Sequence, residues 1–307
     1  TAITLQLERR PALRDGLSFA FEDFASLVAG VREVAQQGLA TEVFGAETAL
    51  ARMVADDSNF RQDLKALLEV GKAAGNPITA VRRMLAIAAG GRRFLTDSEF
   101  TVSFLAEAPD SSRLSATLRD IRRAVGNHGY EIPNTMAQVV AATPFPTPGV
   151  LGPGGRRLLP LHGVMPYSRA VGLQDAFKAL LEREADSMKA HRVDAYVVYA
   201  TTGASGFLWE CVFYWPDEWP ELHKQTMDAE ILGYMQESEA RPEARALVES
   251  LRVATIDLMH EHGAAHYQLG RAYPYARDRS PESLGLLRDI KARLDPQDLI
   301  NPGALGL

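Results

Sequence analysis

Ile290-Lys291-Ala292-Arg293-Leu294-Asp295-Pro296-Gln297-Asp298-Leu299-Ile300-Asn301-Pro302-Gly303 is the most informative stretch of this sequence. Leu286, Leu287, Ile290 and Leu294 recur at helical spacing, so a short amphipathic helix runs into Asp295-Pro296. Proline has no backbone N–H and its ring clashes with the preceding turn, so the helix stops there. Asn301-Pro302-Gly303 is a second stop that turns the chain away.

Working outward, the pattern upstream mixes both periodicities. Thr1 to Leu7 alternates and is rich in β-branched residues, which reads as a strand, and Leu17 to Phe21 reads as a second. Glu22-Asp23-Phe24 opens a helix carrying Leu27, Val28, Val31 and Val34, ended by Gly38. Thr41 to Phe44 is a short strand candidate, and helices are expected over Ala46 to Val54, Phe60 to Ala74 and Thr79 to Ala89. Glu99 to Ala106 alternates as a strand, and Ser112 to Gly126 is an amphipathic helix with Leu114, Leu118, Ile121 and Val125 on one face. Ala142 to Gly155 holds four prolines and four glycines, so neither kind of element fits and a linker is expected. A helix over Gln174 to His191, a strand over Val193 to Tyr199 and a strand over Phe207 to Trp215 follow. The Gly203 to Gly206 turn joins the two strands as a hairpin. Glu237 to Met259 is mostly helical, with a break at Pro242. This order predicts an α+β fold, an antiparallel sheet covered by helices.

Composition excludes several classes. The 307 residues are 46% hydrophobic and 23% charged, the balance of a globular chain able to bury a core. A net charge of -6 with scattered basic pairs such as Arg82-Arg83 and Arg156-Arg157 argues against nucleic-acid binding. Cys211 is the single cysteine, so no disulfide framework and no cysteine zinc site forms within one chain; it reads as a buried core thiol. No apolar run is long enough to span a bilayer and the first residues form no signal peptide, which makes cytoplasmic residence the default expectation.

Chemistry concentrates between His260 and Tyr275, where three of the seven histidines, three tyrosines and Arg271 fall together. His262 and His266 are spaced as on one helix turn, but Gly263 weakens a helix there and no HExxH string exists, so no metal is assigned. Tyrosine hydroxyls and an arginine can instead hold a phenolate or carboxylate, and histidine can take a proton near neutral pH. The competing reading is a loop of satisfied aromatic residues between a helix and the tail. Trp209, Trp215, Phe207, Phe213 and Tyr214 read as strand aromatics. Gly152-Pro153-Gly154-Gly155 lacks the flanking strand and helix of a phosphate loop.

The tail, in its complete form, resembles the C-terminal signature of FAD-linked oxidases of the vanillyl-alcohol oxidase and p-cresol methylhydroxylase type, "IK…LDP…INPG". That resemblance implies a ferredoxin-like substrate (cap) domain. It divides the chain into an exit strand of an FAD-binding domain at 1–10, the cap over 11–285, and a helix and tail over 286–307 that pack on the flavin domain. The family carries a Tyr-Arg pair for a substrate phenolate upstream of the tail. Tyr267 keeps the tyrosine here, while Gln268 stands where the arginine would be, and Arg271 is the candidate replacement. Glu261-His262-Gly263 is similar to the "EHG" element of the D-lactate and glycolate dehydrogenase branch. Pro144 to Ser168 is similar to the segment that enters the active site, where some relatives attach FAD covalently; His162 and Tyr167 are the candidates by position.

The resemblance therefore implies the substrate-binding half of an FAD-dependent oxidoreductase acting on a phenolic, benzylic or 2-hydroxy-acid substrate. Tyr267, His266 and His262 are its expected catalytic residues, Arg271, Gln268 and Tyr273 its substrate contacts, and His162, Tyr167 and Asn301 its flavin contacts. The cofactor is FAD. The expected partners are an FAD-binding domain or subunit and a small-molecule substrate, with a homodimer also compatible and neither nucleic acid nor membrane involved. A non-catalytic α+β ligand- or subunit-binding module and a histidine-based metal hydrolase are the rival readings.

Overall fold

Four strands near the start build one half of the sheet. β1 (Leu13–Phe21) leads through α1 (Phe24–Gln36) to β2 (Glu42–Glu47), which is followed by α2 (Thr48–Asp57). β3 (Phe100–Ala108) leads through α3 (Ser111–Val125) to β4 (Tyr130–Ile132). In space the order is β4-β1-β3-β2, so β3 separates the parallel pair β1 and β2, the split β-α-β arrangement of a ferredoxin-like fold. β5 (Arg157–Pro166), β6 (Asp194–Thr202) and β7 (Gly206–Trp215) extend it to seven strands, in the order β4-β1-β3-β2-β6-β7-β5. Every neighbouring pair is antiparallel. The protein is thus α+β, as its sequence predicts. The structure, a computed structural model, describes residues 3–5, 11–57, 98–134, 151–227, 229–233, 235–266 and 268–307.

Local chemistry sets the helix limits. The Asp23 carboxylate accepts the Ser26 N–H at 2.8 Å and Asp110 accepts that of Arg113 at 2.8 Å, so α1 and α3 each start on an aspartate cap. α4 (Tyr167–Arg183) begins directly after Pro166, and α5 (Ala185–His191) follows a break at Glu184. α6 (Glu221–Thr226) and α7 (Ala229–Leu232) are short. α8 (Pro242–Glu261) has its proline in the first turn, where the missing N–H costs nothing. α9 (Pro281–Leu294) starts on a Ser280 cap.

The sheet buries both faces unequally. Phe19, Phe21, Phe100, Phe104, Trp209, Phe213 and Leu161 face α1, α3, α4 and α8 in the main core. The opposite face packs a smaller cluster, Val212 and Tyr214 against Leu50 of α2 with Tyr196 and Leu158 beside them. Cys211 lies in the main core, and burial pushes its thiol well above the usual range.

Several elements depart from the sequence reading. Ile3 to Leu5 form no strand and are exposed, and no strand among the described residues takes up their N–H and C=O groups; the rest of 1–10 lies outside the described residues. The helices expected over Phe60–Ala74 and Thr79–Ala89, and most of the proline-rich linker, also lie outside them. β5 and β4 carry no clear alternation and emerge only by pairing, β5 with β7 along its whole length. Gln174–His191 is two helices, the first starting at Tyr167. The apolar stripe of α9 is real in spacing, yet none of its residues is buried. No described helix is long and apolar enough to cross a membrane.

Candidate functional site

β5 is an outer strand, and its free edge is closed by a loop and side chains in place of another strand. Val164 and Ala265 exchange both backbone hydrogen bonds at 2.8 Å. Two residues back, the His162 N–H donates to the Tyr273 hydroxyl oxygen at 2.9 Å, and the His162 carbonyl accepts from His266 Nδ1 at 2.8 Å. A carbonyl oxygen only accepts, so Nδ1 of His266 carries a proton, and whenever the ring is neutral its basic nitrogen is Nε2. The ring lies flat on Tyr273, centroids 4.0 Å apart. Gly163 makes this approach possible, since a Cβ there would stand 2.7 Å from Cβ of Ala264.

The His162 side chain completes the cluster. It is buried, edge-on to Tyr273 with Nδ1 3.3 Å from the hydroxyl, and its Nε2 accepts the Gln268 N–H at 3.4 Å. Burial, and then the nearby His266, lower its pKa, which keeps the ring neutral at pH 7. His266 lines a cavity of about 320 Å³ with His260, Leu269, Tyr275 and Arg279, whose guanidinium stands 4.7 Å over the Tyr275 ring.

Strand alternation exposes a residue that sequence reading overlooks. Leu161, Cys211 and Trp209 point into the main core, so His162 and its cross-strand partner Glu210 share the opposite face. Side chains paired this way have Cβ atoms roughly 5 Å apart. Glu210 is half-buried, burial raises its carboxyl above the usual range, and it accepts no hydrogen bond among the described residues. Its signal in the sequence was a single charge inside the apolar run Gly206–Trp215, masked there by the aromatic residues around it.

His162, His266 and Tyr273 are thus brought together, along with the backbone N–H of Gln268. His262 is not among them: it ends α8, and its ring lies against Gly172 of α4. Tyr167 sits in the main core, on the other side of the sheet from His162, with its hydroxyl buried and lacking a hydrogen-bond partner among the described residues; burial pushes its pKa up to about 12. Arg271 is exposed and lines a different cleft, and Asn301 is exposed in the tail turn, accepting the Ala304 N–H at 3.0 Å. Tyr267 lies outside the described residues. Among the described residues, no group of three His, Cys, Asp or Glu side chains could hold a metal ion.

Comparison with curated proteins gave no match. Among solved structures, 4-ethylphenol oxidase from Gulosibacter chungangensis, in an isoeugenol complex, superposes with a TM-score of 0.54 at 14% identity, covering 98% of this chain and 55% of its own. Alkyldihydroxyacetonephosphate synthase superposes with a TM-score of 0.51 at 12% identity, covering 95% of this chain and 44% of its own. At such identities the likeness is one of fold, and this chain spans about half the length of either protein. Residues 240–305, which contain α8, His266, Tyr273, α9 and the tail, match the family model of FAD linked oxidases, C-terminal domain.

Proposed function

We propose that this chain is the substrate-binding part of an FAD-dependent oxidoreductase and holds a phenolic, benzylic or 2-hydroxy-acid substrate beside a flavin carried by an FAD-binding domain or subunit. The observation that carries the reading is a coincidence of position: His266 and Tyr273, two members of the polar cluster, fall inside the family match at 240–305.

The described residues fit the ring end of a flavin and not its pyrophosphate. The sheet face around Glu210 offers Val164, Leu208 and Tyr196, flat apolar surface with one carboxyl. A pyrophosphate needs a row of unused backbone N–H groups. The glycine-rich turn at Gly152–Gly155 offers no such row, since two of its N–H groups are committed: Gly152 N–H bonds the Arg156 carbonyl at 2.7 Å and Gly155 N–H the Gly152 carbonyl at 3.1 Å. When bound, the flavin supplies the acceptor for a hydride leaving the substrate carbon.

Every other role belongs to side chains of this chain. His266 Nε2 takes the proton from the substrate hydroxyl, with its tautomer held by the His162 carbonyl and its plane by Tyr273. His262 is set aside for this role because it packs on α4. Tyr267 orients the hydroxyl, and Gln268 contributes a neutral amide in place of the family's arginine. Glu210, kept short of solvent, adjusts the charge of the sheet face that the ring system meets. Covalent attachment through His162 or Tyr167 would require their burial to be relieved.

Leu286, Leu294, Leu299 and Ile300 are 62%, 75%, 73% and 64% exposed, an apolar stripe of the kind that marks a covered interface and supports a partner domain. The test is to purify the protein together with its FAD-binding domain or subunit and follow loss of flavin colour when a 4-alkylphenol or a 2-hydroxy acid is added without oxygen. His266→Gln is expected to slow that loss by about two orders of magnitude with the flavin still bound. A flavin-bearing preparation that keeps its colour with both substrate classes would sink the reading.

A further inference from the structure

A second concavity, of about 490 Å³, opens between α8 and the segment that follows His266. It shares only Pro274 and Tyr275 with the His266 cavity. Its lining carries three arginines, Arg252, Arg271 and Arg277, against one acid, Asp257, on a chain whose net charge is -6. A cationic cleft on an acidic chain is a local arrangement and not a reflection of composition.

The three arginines are not equivalent. Arg252 is spent: its Nε and Nη2 hold both oxygens of Glu249 at 2.9 and 2.6 Å, and Nη1 donates to the Ala272 carbonyl at 2.9 Å. Arg277 donates through Nη1 to Asp257 at 2.5 Å, which ties the Tyr275–Asp278 turn to α8. Arg271 has no hydrogen-bond or ion-pair partner among the described residues, and its Nε lies beside Gly303. Its planar fork matches a carboxylate or phosphate in two parallel hydrogen bonds. The remaining wall is apolar, with Val253 and Ile256 of α8 facing Pro274 and Tyr275.

We infer that this cleft binds a small organic anion, its carboxylate held by Arg271 and its apolar body lying on Val253, Ile256 and Tyr275. The size suits a single aromatic or short aliphatic acid. Tyr273 lines this cleft as well as supporting His266, but Arg271, Val253 and Ile256 take no part in the proton transfer proposed above, so loss of anion binding and loss of hydroxyl oxidation are separable outcomes.

Titration of the full chain with benzoate, followed by calorimetry, tests this, with inorganic phosphate as the second probe. Benzoate is expected to bind, Arg271→Ala to weaken it by about tenfold or more, and Val253→Asp to weaken it similarly by setting a like charge against the ligand. Both substitutions are at exposed positions, so folding is expected to survive them. Phosphate is expected to bind more weakly than benzoate. Equal affinity for the two probes would remove the apolar body from the assignment. Unchanged benzoate affinity in Arg271→Ala, or no binding by the parent chain, would overturn the site.

Discussion

His266 lies flat on Tyr273, with ring centroids 4.0 Å and planes 15° apart, while the two side chains grip opposite backbone groups of His162. One accepts the His162 N–H and the other donates to its carbonyl. The stack therefore replaces a missing strand at the sheet edge and, by the same bonds, fixes which ring nitrogen of His266 is basic.

Tyr273→Phe keeps the stack and removes the acceptor. The buried His162 N–H is then left unpaired, at a cost of about 1–3 kcal/mol. Urea unfolding is the measurement; an unchanged midpoint and slope would mean that water or another group satisfies the N–H.

Gly163→Ala drives a methyl group to 2.7 Å from Cβ of Ala264, both atoms being held by the Val164–Ala265 bridge. Overpacking of this kind costs about 1–3 kcal/mol. The bridge is expected to open, and amide hydrogen exchange at Val164 and Ala265 should speed up relative to β6. Equal protection in the parent and in Gly163→Ala would show that the loop yields without detaching.

Asp217 is fully buried beside the start of α8, and its carboxylate accepts from Arg245 Nε and Nη2 at 2.6 and 2.9 Å, Arg157 Nη1 at 3.2 Å and Trp215 Nε1 at 3.1 Å. Burial alone would raise its pKa; the donors, Arg245 first, hold it well below the usual carboxylate range. Asp217→Ala removes the acceptor shared by Arg245, Arg157 and Trp215; because Arg245 keeps Glu218 and both guanidinium groups reach solvent, the expected cost is about 1–3 kcal/mol. Thermal unfolding checks it, and a loss below 1 kcal/mol would show the cluster to be dispensable.

Glu47 gives a pH dependence. Burial raises its carboxyl from 4.5 to about 7, against the Val197 N–H and the Gln174 amide that favour the anion, with Lys178 and Glu99 the charged groups nearby. The folded chain holds this proton after the unfolded chain has lost it. Stability therefore falls as pH rises from about 4.5 to about 7 and levels off above, by about 3 kcal/mol in all. Glu47→Gln should flatten that limb of the stability profile; a profile identical to the parent's would place the slope elsewhere.

The helices α1 and α3 and the hairpin of β6 and β7 were legible in the sequence because their signals are local. An aspartate cap, an apolar stripe at helical spacing or a glycine turn acts over a few residues and needs no partner to be recognised. The tail was legible for the same reason, as a contiguous string with two proline stops. β5 was not: Arg157–Pro166 holds Pro160 and Gly163, and its strand character comes only from ten residues of pairing with β7.

The candidate site divides along the same line. The sequence by itself determined which residue types gather between His260 and Tyr275 and that the tail resembles an FAD-linked oxidase signature. Only the tertiary structure decided which of them meet, because His162 arrives from an edge strand more than a hundred residues away and His262 turns instead toward α4. It also put Glu210 on the face of His162, through a register that reverses with a slip of one residue. Contact across a sheet depends on pairing and parity, and neither is written in any one segment of the chain.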